Sequence, residues 1–210
     1  MRFGWILLAV LVLSAAATYV VRFHLMTQAP KVPVAALLPT SELIGPDEGY
    51  ERVAVTPLNL PRYGFTIVVP RGSRGTRYAP TPEDRVSDDS QAVALAEFLP
   101  PGRDDIRIEV RYVRPPSEVT LPRFVAVYAR ASGFSIVAAQ PGVIGGVPVV
   151  DALLRKDTPG RGPFLTRLLV RRHGDMIFLV AGSCLEADYP TWKRTLGVAA
   201  VSLVPTGPAR

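Results

Sequence analysis

Six basic residues in two glycine-rich settings are the strongest chemical feature of this sequence. Arg71, Arg74 and Arg77 recur every third residue among Gly72, Ser73, Gly75 and Thr76, and Arg155, Lys156 and Arg161 accompany Gly160 and Gly162. Guanidinium and ammonium groups beside flexible backbone N–H donors suit anions such as phosphate-bearing lipid headgroups or an acidic partner. The plainer reading is two solvated loops. Nucleic acid is a disfavoured partner: the formal charge of +6 is nearly all arginine, and Tyr78 is the one aromatic interleaved with the first basic run.

Catalytic and metal chemistry find little support. His24 and His173 are the only histidines, and with the single Cys184 they are too dispersed for metal-ligand spacing. Asp175 lies close to His173, but Arg172-His173-Gly174-Asp175 reads as a solvated turn and not as a general base. The carboxylate pairs Asp88-Asp89 and Asp104-Asp105 repel internally and mark polar turns more readily than a cation site. Ser183 sits in Ala181-Gly182-Ser183-Cys184, which lacks the flanking glycines of a nucleophile elbow. Cys184 has apolar and small neighbours, as a buried thiol does. The sequence therefore calls for no enzyme activity, no catalytic residue, no cofactor and no metal.

What must position these residues begins with Phe3–Val21, an uncharged run bracketed by Arg2 and Arg22. About 20 apolar residues span a bilayer as a helix. An uncleaved signal anchor and a signal peptide, with Trp5–Leu13 as its core and a cleavage site at Ala15-Ala16-Ala17, both stay open. The anchor places residues 1–22 in the inner membrane, with the N-terminus in the cytoplasm and the bulk of the chain on the periplasmic or extracytoplasmic side, whereas a signal peptide exports the chain. Residues 23–62 carry Pro30, Pro33, Pro39, Pro46, Pro57 and Pro61 and read as a semi-rigid spacer. Residues 63–204 form the folded domain and 205–210 a short tail.

Within that domain, Phe65–Val69, Ala92–Leu99 and Ile106–Arg114 read as strands. The third alternates strictly, with Ile106, Ile108, Val110 and Tyr112 on one face and Arg107, Glu109 and Arg111 on a wet one. Leu121, Phe124, Val125 and Tyr128 then recur at helical spacing, with Thr120 as cap, Pro122 in the first turn and Gly133 as stop. Phe134–Ala139 and Val147–Leu154 follow as strands joined by a loop through Pro141-Gly142. Phe164–Arg171 and Met176–Ala181 form a hairpin whose second strand is apolar throughout, as a central strand is. A helix over Pro190–Ala200, with Trp192, Leu196, Ala199 and Ala200 on one face, precedes a closing strand at Val201–Val204. Short links between consecutive strands imply antiparallel pairing. The fold class is α+β: an antiparallel sheet covered by two main helices, preceded by a single N-terminal transmembrane helix.

Tyr63-Gly64-Phe65-Thr66-Ile67-Val68-Val69-Pro70, the helix ending at Gly133 and the segment Ile144-Gly145-Gly146-Val147-Pro148 resemble the PsbP/Mog1/DcrB-like fold superfamily. So do the hairpin at His173-Gly174-Asp175 and the Pro190–Ala200 helix followed by a short strand. The resemblance covers Tyr63–Val204; the arginines of 71–77 are not a mark of it. It implies a binding or assembly module, often of the bacterial envelope, and it carries no catalytic signature. The expected function is a membrane-anchored, non-enzymatic extracytoplasmic interaction module, accessory to an envelope secretion or transport assembly. The alternative is a small-ligand- or lipid-binding envelope protein with an apolar pocket. Candidate partners are other envelope proteins, anionic lipid headgroups and a small-molecule ligand.

Overall fold

The computed structural model describes residues 48–56, 63–78, 92–115 and 119–207. The expected transmembrane run Phe3–Val21, most of the proline-rich spacer and Asp88-Asp89 lie outside the described residues. Among the described residues no helix is long and apolar enough to cross a membrane.

Among the described residues, ten strands form two antiparallel sheets and are accompanied by two helices. The strands are β1 (Tyr50–Val55), β2 (Phe65–Pro70), β3 (Arg74–Arg77), β4 (Val93–Leu99), β5 (Arg107–Val113), β6 (Ser135–Ile144), β7 (Val147–Thr158), β8 (Gly162–His173), β9 (Met176–Leu185) and β10 (Val204–Pro205). Helix α1 is Leu121–Ala131 and α2 is Tyr189–Ser202. The large sheet runs β3-β4-β5-β9-β8-β7-β6, and β1-β2-β10 form the small one.

Helix α2 packs against β9 and β8 of the large sheet and against β2 of the small one. This explains a departure from the single apolar face read in the sequence. Gly197, Val198 and Val201 are buried together with Leu196, Ala199 and Ala200, because apolar surface meets the helix on two sides. Phe65, Ile67 and Val69 of β2 are fully buried, while Ser202 and Thr195 fasten the helix to the small sheet through Val68 N–H (2.8 Å) and the Tyr50 hydroxyl (2.9 Å).

On the other face of the large sheet α1 packs against β6, β7 and β8. Phe124, Val125, Tyr128 and Ala129 meet Val150, Ala152, Leu154, Leu168, Val170, Ile177 and Leu179 in one apolar cluster. The helix stops where expected: Gly133 takes φ 72°, and Phe134 N–H returns to the Ala129 carbonyl at 2.8 Å. Thr120 occupies the cap position with extended backbone, but its side chain makes no capping hydrogen bond. Central β9 is buried on both faces from Met176 to Gly182, as its unbroken apolar run implied.

Several boundaries differ from the sequence reading; β7 runs on to Thr158, so Arg155 and Lys156, read as loop residues, lie in a strand. Residues 50–55, expected in the spacer, form β1, which pairs with β2 from Tyr50↔Pro70 to Val55↔Phe65. The strand before the Gly145-Gly146 turn runs on through Pro141 and Gly142, because β6 is an edge strand and its outward side needs no donor at proline. The expected closing strand at Val201–Val204 is only β10, and it joins the small sheet beside Thr66 and Phe65. Pro205, assigned to the tail, is therefore part of a strand.

Candidate functional site: an open groove beside helix α1

An eleven-residue helix is about 16 Å long at about 1.5 Å per residue, too short to cover a seven-stranded sheet. The surface left open beside its C-terminal end is a groove of about 910 Å³. Its floor is built from the wet face of β5 (Arg107, Glu109, Arg111), from Ala181, Ser183 and Leu185 of β9, and from Phe164 and Thr166 of β8. Tyr128, Ala131, Ser132 and Phe134 wall it at the end of α1, Asp104 and Asp105 on the β4–β5 loop, and Lys156 and Arg161 where β7 turns into β8.

The register explains this composition. Arg107 pairs with Ser183, and Ser183 with Thr166, so one row across three strands is polar. The two hydroxyls hydrogen-bond each other at 2.8 Å. Arg107 meets Glu97 at 2.6 Å and Glu109 at 3.5 Å, and Arg111 Nε donates to Glu109 at 2.8 Å. Tyr78 donates its hydroxyl to Glu97 at 2.8 Å, which with burial and the nearby negative charge raises the phenol above its ordinary value. On the rim, Arg103 holds Asp105 with two bonds of 2.8 and 2.7 Å and keeps that carboxyl below the usual carboxylate range. The same guanidinium donates to Asp188 at 2.8 Å and lies 5.6 Å from the Trp192 ring centre, joining the rim to the start of α2. Tyr128 is pushed up by burial.

The six basic residues do not converge. Lys156 and Arg161 line the groove. Lys156 donates to the Ser132 carbonyl at the end of α1 (2.9 Å) and lies 5.4 Å from the Phe134 ring centre. Arg155, its neighbour in β7, points to the opposite face by strand alternation. It is occupied by Glu186 and Asp157, each at 3.1 Å, and Glu186 raises its affinity for the proton. Arg74 and Arg77 are not in a loop: they open and close the exposed edge strand β3, and Arg74 is paired with Asp104. Arg71 sits in the turn before it, its backbone N–H on Gly49 O at 2.9 Å.

The residues weighed for catalysis are engaged elsewhere. His173 is the last residue of β8 and not part of a free turn; its Nε2 is 2.8 Å from Gly207 O. Cys184 is buried on the α2 side of the sheet, and burial pushes its thiol up to about 12. Among the described residues no three His, Cys, Asp or Glu come together as a metal site. The sequence reading missed the groove, although the alternation of Arg107, Glu109 and Arg111 marked its floor. It also missed a buried ion pair on the α2 side, where Arg167, fully buried, donates to Asp151 at 3.2 and 2.6 Å. Burial there raises the Asp151 carboxyl against the pull of the guanidinium.

No family model and no curated protein matches this chain. Its fold is similar to that of the cyanobacterial PsbP of Synechocystis sp. PCC 6803, with 16% identity, a TM-score of 0.54, and coverage of 76% of this chain and 94% of that one. Two further structures match at 13% and 10% identity. One is a Pseudomonas aeruginosa protein of unknown function described as a putative regulator (TM-score 0.44; 74% and 97% covered). The other is LpqN, involved in cell envelope biogenesis of Mycobacterium tuberculosis (TM-score 0.48; 75% and 92% covered). The fold is PsbP-like, as the sequence resemblance implied.

Proposed function

We propose that this chain is a membrane-anchored, non-enzymatic interaction module of the extracytoplasmic envelope, and that it binds through the groove beside α1. The observation carrying this reading is the state of the groove's polar groups. Glu109 is tied to Arg107 and Arg111, Asp104 and Asp105 are tied to Arg74 and Arg103 beside the groove, and the Ser183 hydroxyl is tied to Thr166 instead of to a base. Such a surface recognises by shape, charge and hydrogen bonding and offers no activated nucleophile. Phe3–Val21 supports the anchor and the position of the domain outside the cytoplasm.

A site-specific photo-crosslinker at Ala131, exposed on the groove wall, tests this in intact membranes. A crosslinker at Thr76 on edge strand β3, outside the groove lining, is the control. An adduct formed at Ala131 and absent at Thr76 is the expected result. Equal capture at both positions, or none at either, would sink the reading. The mass of the adduct separates an envelope protein from the alternative, a small ligand or lipid, which the groove's volume of about 910 Å³ also suits.

A further inference from the structure

Taking the groove as the binding surface, we infer that its ligand is an anionic amphiphile: a phosphate or carboxylate head held by Lys156 and Arg161, and an apolar body laid over Phe134, Phe164 and Leu185. The sign of the head follows from which charges are already used. Asp104 is paired with Arg74, Asp105 with Arg103, and Glu109 with Arg107 and Arg111, so a cationic ligand finds every carboxylate of the groove occupied. Lys156 and Arg161 line the same groove and enter no ion pair among the described residues. Lys156 spends one of its three N–H donors on Ser132 O, and the Arg161 guanidinium keeps five. The lysine also offsets the negative end of α1, which would otherwise repel an anion there.

The body follows from what lies beside those cations. Lys156 pairs across the sheet with Phe164, and Phe164 with Leu185, so an apolar row leads from the cationic end across β8 to β9. Phe134 stands over the same end from the α1 side, and Phe134, Phe164 and Leu185 are each only partly buried. A bare phosphate would leave that row wet. The volume of about 910 Å³ is near the upper end of the range for small-ligand sites, about 300–1,000 Å³, which leaves room for a chain or ring behind the head.

The test uses the full chain in phosphatidylcholine nanodiscs, with empty nanodiscs as the blank, and calorimetric titration with octyl phosphate, octanoate, octanol and inorganic phosphate. Saturable one-to-one binding of an octyl anion is expected, with octanol and inorganic phosphate at least tenfold weaker. The ratio of octyl phosphate to octanoate then identifies the head. Lys156→Ala with Arg161→Ala should weaken the octyl anion at least tenfold, and Arg71→Ala with Arg77→Ala should not change it. No binding of either octyl anion, octanol or inorganic phosphate as tight as the octyl anion, or an unaffected Lys156/Arg161 double variant each overturns the assignment. Ala131→Trp, which fills the groove from its exposed wall, separates the two levels. If it abolishes binding while the double variant does not, the groove stands and the anionic head falls. If it leaves binding intact, the groove itself is the wrong surface.

Discussion

The two faces of the seven-stranded sheet solve the same problem with different amounts of cover. On one face α2 lies between two sheets, so Phe178, Val180, Gly182 and Cys184 of β9 meet it in a dry interior. That interior even encloses Arg167 and Asp151 as a bonded pair. On the other face α1 is alone and short, and past its last turn the strands show paired charges and hydroxyls to solvent. The difference teaches that cover, and not strand composition alone, decides where polar groups stay open to solvent. The sealed face is packed throughout, while the half-covered one joins the apolar cluster under α1 to an open polar stretch beyond it.

The sharpest way to break this contrast is on the sealed face. Asp151→Leu leaves Arg167 buried without its carboxylate and should cost about 3–5 kcal/mol in urea unfolding. Asp151→Leu combined with Arg167→Met should recover most of that loss, and a double variant as unstable as the single one would mean the pair is not the cause. Next in size is Gly182→Ala. An added Cβ would lie 2.9 Å from Leu196 Cβ, so α2 must shift, and a loss of about 1–3 kcal/mol is expected. A melting temperature equal to the parent's would show that α2 is held more loosely than its burial implies.

On the open face the expected losses are smaller. Ser183→Ala removes one hydroxyl bond to Thr166 and should cost about 1 kcal/mol, read as a shift in unfolding midpoint. A cost matching that of Gly182→Ala would erase the distinction between the faces. The smallest effect at neutral pH belongs to Cys184. Its folded thiol is pushed to about 12 from an ordinary 9.0, so the native state keeps a proton that the unfolded chain releases. Its contribution to stability is intact below pH 9.0 and fades as pH rises toward 12. A thiol reagent at pH 8 should therefore label the unfolded chain and spare the native one; rapid native labelling would contradict the sealed interior.

What could be read in advance, and what could not, follows the range of the interactions. Helix α1 was legible because Leu121, Phe124, Val125 and Tyr128 repeat locally and Gly133 stops the helix. The β8–β9 hairpin was legible because its turn is local too. Strand β1 was hidden between Pro46 and Pro57 by its charged residues Glu51 and Arg52, and only its partner β2 gives it structure. The small sheet escaped notice because β10 has just two residues. The basic clusters were grouped by chain proximity, whereas strand alternation sends Arg155 and Lys156 to opposite sides of the sheet. Arg167 and Asp151 sit diagonally across β8 and β7, since Arg167 faces Leu153 and Asp151 faces Leu169 in the register. No short-range pattern announces such a pair.

Strand β1 also has a mechanical meaning. It is the first strand among the described residues, it lies at the edge of the small sheet, and its opening residue Tyr50 is tied to Thr195. Under the anchor proposed above, tension along the chain would meet β1 before the later strands. Peeling β1 from β2 would break a ladder of six residue pairs that belongs to the small sheet and not to the seven-stranded one that floors the groove.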